Sequence, residues 1–351
     1  MSAPDGRRRR GGGRGADGGR EQSMVPRADF TSYYGRPVLK PPVWKEDIAY
    51  YFFLGGLSAG SALLAAGGDL TGRPALRRGG RLGGLAALIG GTYYLIVDLG
   101  RPDRFHHMLR VAKPTSPMSM GTWALSVFGG ALGAAAATEF VPERWRVVRG
   151  LGSAAGVAAA AVAPAVASYT AVLISHTAVP FWNTAKDELP FVFVGSAAAS
   201  GAGLGLIVAP RDQAGPARRL AVLGAGLELA ASQRMEGRLG LVRGAIEEPT
   251  PKKFFTAARA LTIGGAVGAA LFARRSRTAA VLSGAALLAG SLAQRLGVFH
   301  AGVVSTEDPK YVVGPQRQQL AERERRPVSP GEGLGPKTSP DAHGDAGLGG
   351  H

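Results

Sequence analysis

The sequence predicts an all-α fold, a polytopic membrane protein built as an eight-transmembrane-helix bundle. Three observations lead there. From Asp47 to about Gly297 the chain is a succession of Ala, Gly, Leu and Val runs, each roughly 20 residues long, the length of helix that crosses ~30 Å of hydrocarbon. Arg and Lys fall in the tails and in short segments between these runs, where positive charge sets topology and meets anionic headgroups. Small residues recur at four-residue spacing, at Gly56 and Gly60, Gly129 and Gly133, Gly201 and Gly205, and Gly264 and Gly268, a pattern that lets helix backbones approach closely in lipid.

Composition narrows the function classes. The 351 residues are 46% hydrophobic, with a mean hydropathy of only +0.06 because polar ends offset an apolar middle. A net charge of +16 and a pI of about 10.7 suit nucleic acid in principle, but the basic residues are distributed as topology signals, so nucleic acid is not an expected partner and membrane lipid is. The chain has no cysteine. It therefore forms no disulfide and ligates no iron–sulfur cluster, and any such cluster must belong to a partner.

In chain order, residues 1–28 are rich in Gly, Arg and Asp and read as a disordered basic tail. No hydrophobic region with a small-residue cleavage site follows Arg7 to Arg10, so a cleaved signal peptide is not expected. Residues 29–45 form an extended interfacial segment with Tyr33, Tyr34 and Trp44 among prolines. The eight-helix domain occupies residues 46–300. Its spans are expected at about Glu46 to Leu70, Gly79 to Leu99, Met118 to Glu139, Gly150 to Ala178, Leu189 to Ala209, Pro216 to Met235, Phe254 to Ala273 and Thr278 to Leu296. The sixth is the least apolar, with Arg218 and Arg219 at its start and Glu228 inside it. Residues 301–351 read as a polar, largely disordered tail. An even number of spans puts both ends of the domain on one side. Loop charges nearly balance, and the Arg-rich N-terminal tail points to cytoplasmic termini in a multi-pass plasma-membrane protein.

Ionisable residues in or beside the spans are where function concentrates in membrane proteins. The stretch from Tyr93 to Trp123 packs an acid, helix breakers and basic residues between two apolar spans and reads as one wall of a membrane redox site. Asp98 stands three residues before Arg101, a spacing that permits an ion pair if the helix continues that far. Glu228 lies near the middle of its span, where a carboxylate is costly and suits either a proton relay or a helix-to-helix hydrogen bond. Tyr169 can offer its hydroxyl to a polar ligand while its ring packs against apolar neighbours. His176 follows seven residues on, two turns later on the same face. Haem is not expected. Of the six histidines, His106 and His107 share a loop, His343 and His351 lie in the tail, and neither His176 nor His300 has an evident partner at matching depth.

Five blocks, in order, carry a resemblance: GGLSAG, DLGRPDRF, PTSPMSMGTW, SYTAVLISHTAVPFWN and LPFVFVGSAAASGAG. Together they resemble the NrfD-like family, the membrane subunits of polysulfide reductase and related molybdoenzyme complexes, over about Tyr34 to Gln316. The closing RLGVFHAGVVSTEDPKYVVGPQ is similar to actinobacterial members. The resemblance implies a quinone-reactive subunit without haem, exchanging electrons between membrane menaquinone and a four-cluster ferredoxin-like iron–sulfur subunit that serves a molybdopterin catalytic subunit. It places the helix-four tyrosine of the quinone pocket at Tyr169. The family's helix-one histidine aligns with Tyr51 and a nearby asparagine with Ile48, so Tyr51 or Asp47 would supply the polar contact, with His176 close by. Asp98, Arg101 and Glu228 are then the candidates for moving protons. The competing classes are a proton or solute transporter, which would more often show broken helices and paired carboxylates in two halves, and a non-catalytic membrane anchor.

Overall fold

The computed structural model describes residues 39–314 apart from 41, 43, 100 and 101. Eight long helices dominate the described residues: α1 (Asp47–Leu70), α2 (Pro74–Asp98), α3 (Pro117–Ala137), α4 (Arg146–Ser175), α6 (Leu189–Val208), α7 (Gly215–Arg238), α9 (Pro249–Leu271) and α10 (Arg277–Glu307). Two short helices, α5 (Pro180–Thr184) and α8 (Gly244–Glu247), and a 3-10 segment over Pro102–Arg110 fill connections at one face of the bundle. Seven of the eight long helices are long and apolar enough to cross a membrane. The exception is α7, the span whose sequence is least apolar. Its charges cluster at the ends, and Glu228 is the one charged residue in its middle. The protein is a multi-pass membrane protein.

Local chemistry sets the helix ends. Proline stands at the first position of α2, α3, α5 and α9, where its missing N–H is not needed and its fixed φ suits a first turn. Ser116 caps α3 by accepting from the Ser119 N–H, and Ser276 caps α10 by accepting from the Ala279 N–H. The turn from α1 to α2 passes through Gly72 at φ 66°, a left-handed conformation that glycine adopts without strain. Several boundaries differ from expectation: α2, α4 and α9 begin four or five residues earlier, at Pro74, Arg146 and Pro249, and two helix ends move in ways that bear on the site. Helix α4 stops at Ser175, before His176, and α10 runs past Leu296 to Glu307.

The helices pair as antiparallel neighbours, α1 with α2, α3 with α4, α6 with α7 and α9 with α10, and α1 packs along α6 at the centre. There the glycine spacing is used fully: a Cβ on Gly60 would fall on the Ala197 carbonyl and lie 3.2 Å from Gly201 Cα, and one on Gly201 would lie 2.6 Å from the Ser61 nitrogen. Gly133 and Gly264 have nothing within 4 Å of where a Cβ would stand, so close approach does not explain those two. Large apolar side chains remain exposed outside, among them Ile89, Val127, Val157, Leu223, Ile263 and Leu282. Lipid suits them, because the backbone polar groups behind them are already hydrogen-bonded within the helices.

Candidate functional site

Most of the residues singled out from sequence come to the face where α1 begins and α2 ends. The same face holds the end of α10, because His300 Nε2 lies 3.0 Å from Glu46 Oε1. Asp98 ends α2, and its Oδ1 accepts from the Lys45 N–H at 3.3 Å. Asp47, in the first turn of α1, lies within Coulombic reach of Asp98. Leu99 turns extended, with ψ 124°, so the helix does not carry on as a helical Asp98–Arg101 pair requires. Arg101 itself lies outside the described residues. Tyr50 stacks on Tyr94 with centroids 5.4 Å apart, and Tyr93 meets Tyr94 edge-on.

Tyr51 is 2% exposed, in an apolar cluster that includes Ile48, Phe52, Trp182 and Phe193. Tyr169 is half-buried and packs against both this cluster and the one between α1, α3 and α4. Its ring lies directly over Gly121 of α3, where any Cβ would collide with it. His176 does not share that wall. It sits beyond the end of α4, exposed, with Nδ1 held 2.8 Å from the Val172 carbonyl oxygen. Because α4 ends at Ser175, the seven-residue spacing to Tyr169 no longer describes one helical face. Beside His176, a crevice of about 280 Å³ is lined by Trp44, Thr177, Val179 and Thr306, and neither Tyr51 nor Tyr169 reaches it.

Glu228 is the deep member of the set, 2% exposed in the middle of α7. Gly195 of α6 brings the backbones together there: a Cβ on it would lie 2.5 Å from the Glu228 nitrogen. Facing it from α10 is Arg295, 1% exposed. Arg295 Nη2 donates to the Phe193 carbonyl at 2.9 Å, and the guanidinium lies 3.6 Å from the Phe193 ring centroid, a cation–π contact. Ser196 and Ser291 hydrogen-bond to each other at 2.8 Å beside the pair. Even so, Glu228 Oε2 and Arg295 Nε and Nη1 have no partner among the described residues. A buried charge with open valences is expensive, which singles this arrangement out as a candidate site.

Sequence reasoning missed Arg295, although the rule that singles out Glu228, a charge inside an apolar span, applies to it equally. The expected span ends at Leu296, which puts Arg295 in the last turn, where a cation is unremarkable. It also missed a second charged set at the opposite face. There Arg77 donates to both Glu139 oxygens, at 2.8 and 3.2 Å, and Arg81 donates to Glu139 Oε1 at 2.9 Å and to Asp69 Oδ2 at 2.8 Å. In sequence both arginines pass for loop charge. Among the described residues no group of three His, Asp or Glu could hold a metal ion.

Residues 38–223 match the model of a protein family described as "Polysulphide reductase, NrfD". No curated protein matches the chain.

Proposed function

The chain belongs to the polysulphide reductase NrfD family, and on that premise we propose that it is the quinone-reactive membrane subunit of a molybdopterin oxidoreductase complex. In this reading it passes electrons between membrane menaquinone and a four-cluster ferredoxin-like iron–sulfur subunit docked over the pocket, with the catalytic molybdopterin subunit beyond. A cysteine-free chain leaves electron storage to those partners.

The observation that carries the reading is the Tyr169 ring lodged over Gly121 beside the cluster that holds Tyr51. A quinone head group is a flat ring with two carbonyls, and it needs aromatic walls with a few convergent polar groups. Tyr169 and Tyr51 suit the walls and the hydroxyl donors. Asp47 and Asp98, at the same end, suit proton exchange at the mouth, together with Arg101, and His176 marks the rim. Bound there, the quinone supplies two-electron, two-proton redox chemistry. Glu228 holds and moves a proton deeper in the bundle, with Arg295 fixing the local charge. Both ends of the helical domain lie in the cytoplasm in this proposal, and pocket and partner share that side.

Purification in detergent with natural partners, followed by metal, molybdenum and quinone analysis, tests it. Copurified iron–sulfur clusters, molybdenum and menaquinone are expected; a complex without quinone or clusters overturns it. Glu228→Gln should slow quinone-coupled turnover at least ~100-fold, the low end of what a positioned proton-transfer group contributes, while the protein still reaches the membrane. Unchanged turnover removes Glu228 from the mechanism.

A further inference from the structure

The unpartnered polar atoms around Glu228 are not scattered. Glu228, Ser232 and Gln294 each leave a buried polar atom without a partner among the described residues, namely Glu228 Oε2, Ser232 Oγ and Gln294 Nε2. The three side chains are 2%, 8% and 4% exposed. All three line one internal cavity between α7, α9 and α10, whose other walls are Leu229, Glu236, Phe255 and Arg259. Its volume is about 10 Å³, close to the ~10–15 Å³ that holds a single water. A water there has three orphan-bearing side chains on its walls, within the two to four polar partners that such a water needs.

The cavity has an outside. An open crevice of about 380 Å³ lies at the end of α7, lined by Glu236, Arg243, Glu247, Lys252, Phe255 and Arg259 among others. Glu236, Phe255 and Arg259 therefore wall both spaces. Glu236 is an ion-pair partner of Arg259, and the two stand where the crevice narrows. Phe255 is 7% exposed and supplies the apolar side of the neck. Going inward along α7, Glu236, Ser232 and Glu228 follow at four-residue intervals, which puts them on one face at a rise of about 6 Å each.

We infer that the crevice beside α8 is the mouth of a hydrated proton route that runs along this face of α7 past the Glu236–Arg259 pair and ends at Glu228. Protons from bulk water collect at the crevice carboxylates, pass through water held by Ser232 and Gln294, and load Glu228. When quinol is oxidised the same steps run outward, so charge stays balanced with electrons leaving to the iron–sulfur partner. Arg259 acts on the route as a positioning residue, holding Glu236 to one wall. The inference rests on the proposed quinone chemistry only for its use; the hydrated route itself stands or falls on access.

Access is measurable because the chain has no cysteine of its own. Ser232→Cys in the full-length protein, in membranes with its partners, introduces the chain's single thiol. That thiol is exposed to silver ion, and what remains of it is counted with a fluorescent maleimide after the chain is unfolded and separated. Gly226→Cys, on an exposed stretch of α7 with nothing within 4 Å of a Cβ, is the lipid-facing control. The thiol of Ser232→Cys is expected to react at least ten times faster than that of Gly226→Cys, and faster again when Arg259→Gln opens the neck. Equal rates in the two variants overturn the route. Should Ser232→Cys not accumulate, Gln294→Cys on the other wall of the cavity is read the same way. A silver-accessible thiol in Ser232→Cys with Glu228→Gln at full turnover keeps the route and removes Glu228 from quinone chemistry. A silver-inaccessible thiol there with Glu228→Gln impaired does the reverse.

Discussion

Two sets of buried charge sit at different depths in this bundle, and they are built on opposite plans. At the face where α1 ends, Asp69, Arg77, Arg81 and Glu139 form a reciprocal network in which all four carboxylate oxygens accept from a guanidinium, and of the two arginines only Arg81 Nε is left over. It links the end of α1, the start of α2 and the turn after α3. Inside the bundle, Glu228 and Arg295 are buried more deeply than Asp69 or Arg77, yet both keep open valences. The first set has nearly all that a buried ion cluster needs in order to persist, geometry plus hydrogen bonds to every carboxylate oxygen. The second has only part of it, and incomplete satisfaction beside a cavity fits the proton-carrying role proposed for Glu228.

The contrast can be broken by substitution. Arg81→Met strands two acids that only Arg77 can then serve, and should cost about 3–5 kcal/mol, the range for breaking a buried pair, read as a sharp fall in thermal stability and yield in detergent. Arg295→Met should cost markedly less, because it removes a group with two unmet nitrogens, but should slow quinone-coupled turnover about ten-fold, less than the ~100-fold or more expected for loss of the proton-transfer group itself. If Arg295→Met destabilises as much as Arg81→Met, the two sets are the same kind of fastener. Gly121→Val drives the Tyr169 ring aside and is expected to weaken quinone binding several-fold in a titration of the complex, with membrane insertion unchanged. The smallest effect belongs to Gly264→Ala. Nothing stands near that position, so the substitution should stabilise α9 by about 0.5–1 kcal/mol through helix propensity alone.

Helix number, the weak sixth span and the small-residue spacing at Gly60 and at Gly201 were legible because each depends on local pattern: run length, charge content, residue size; that those two glycines meet each other was not. Glu228 was legible for the same reason. His176 was misplaced because helix ends are set by a single residue's φ and ψ, which an apolar run through Ala178 does not reveal. Arg295 and the Arg81 network were hidden for a related reason. Whether an arginine near a span boundary points to water or inward depends on an acid in a distant segment, Glu139 for Arg81 and Glu228 for Arg295, and no periodicity encodes that pairing. The Trp182 indole, which donates to the Val298 carbonyl at 2.8 Å and covers Gly302, was invisible for the same reason.

The seam between α1 and α6 has a mechanical consequence. Where Gly60 and Gly201 meet, main chain rests on main chain, with no side-chain layer to act as a bearing. Rotating one half of the bundle against the other would drive carbonyls into amides within a fraction of an ångström, so the domain should behave as a stiff block, ill-suited to the rocking by which carriers expose a site alternately to two sides. A frame of that stiffness leaves individual side chains, rather than helices, as the parts expected to move.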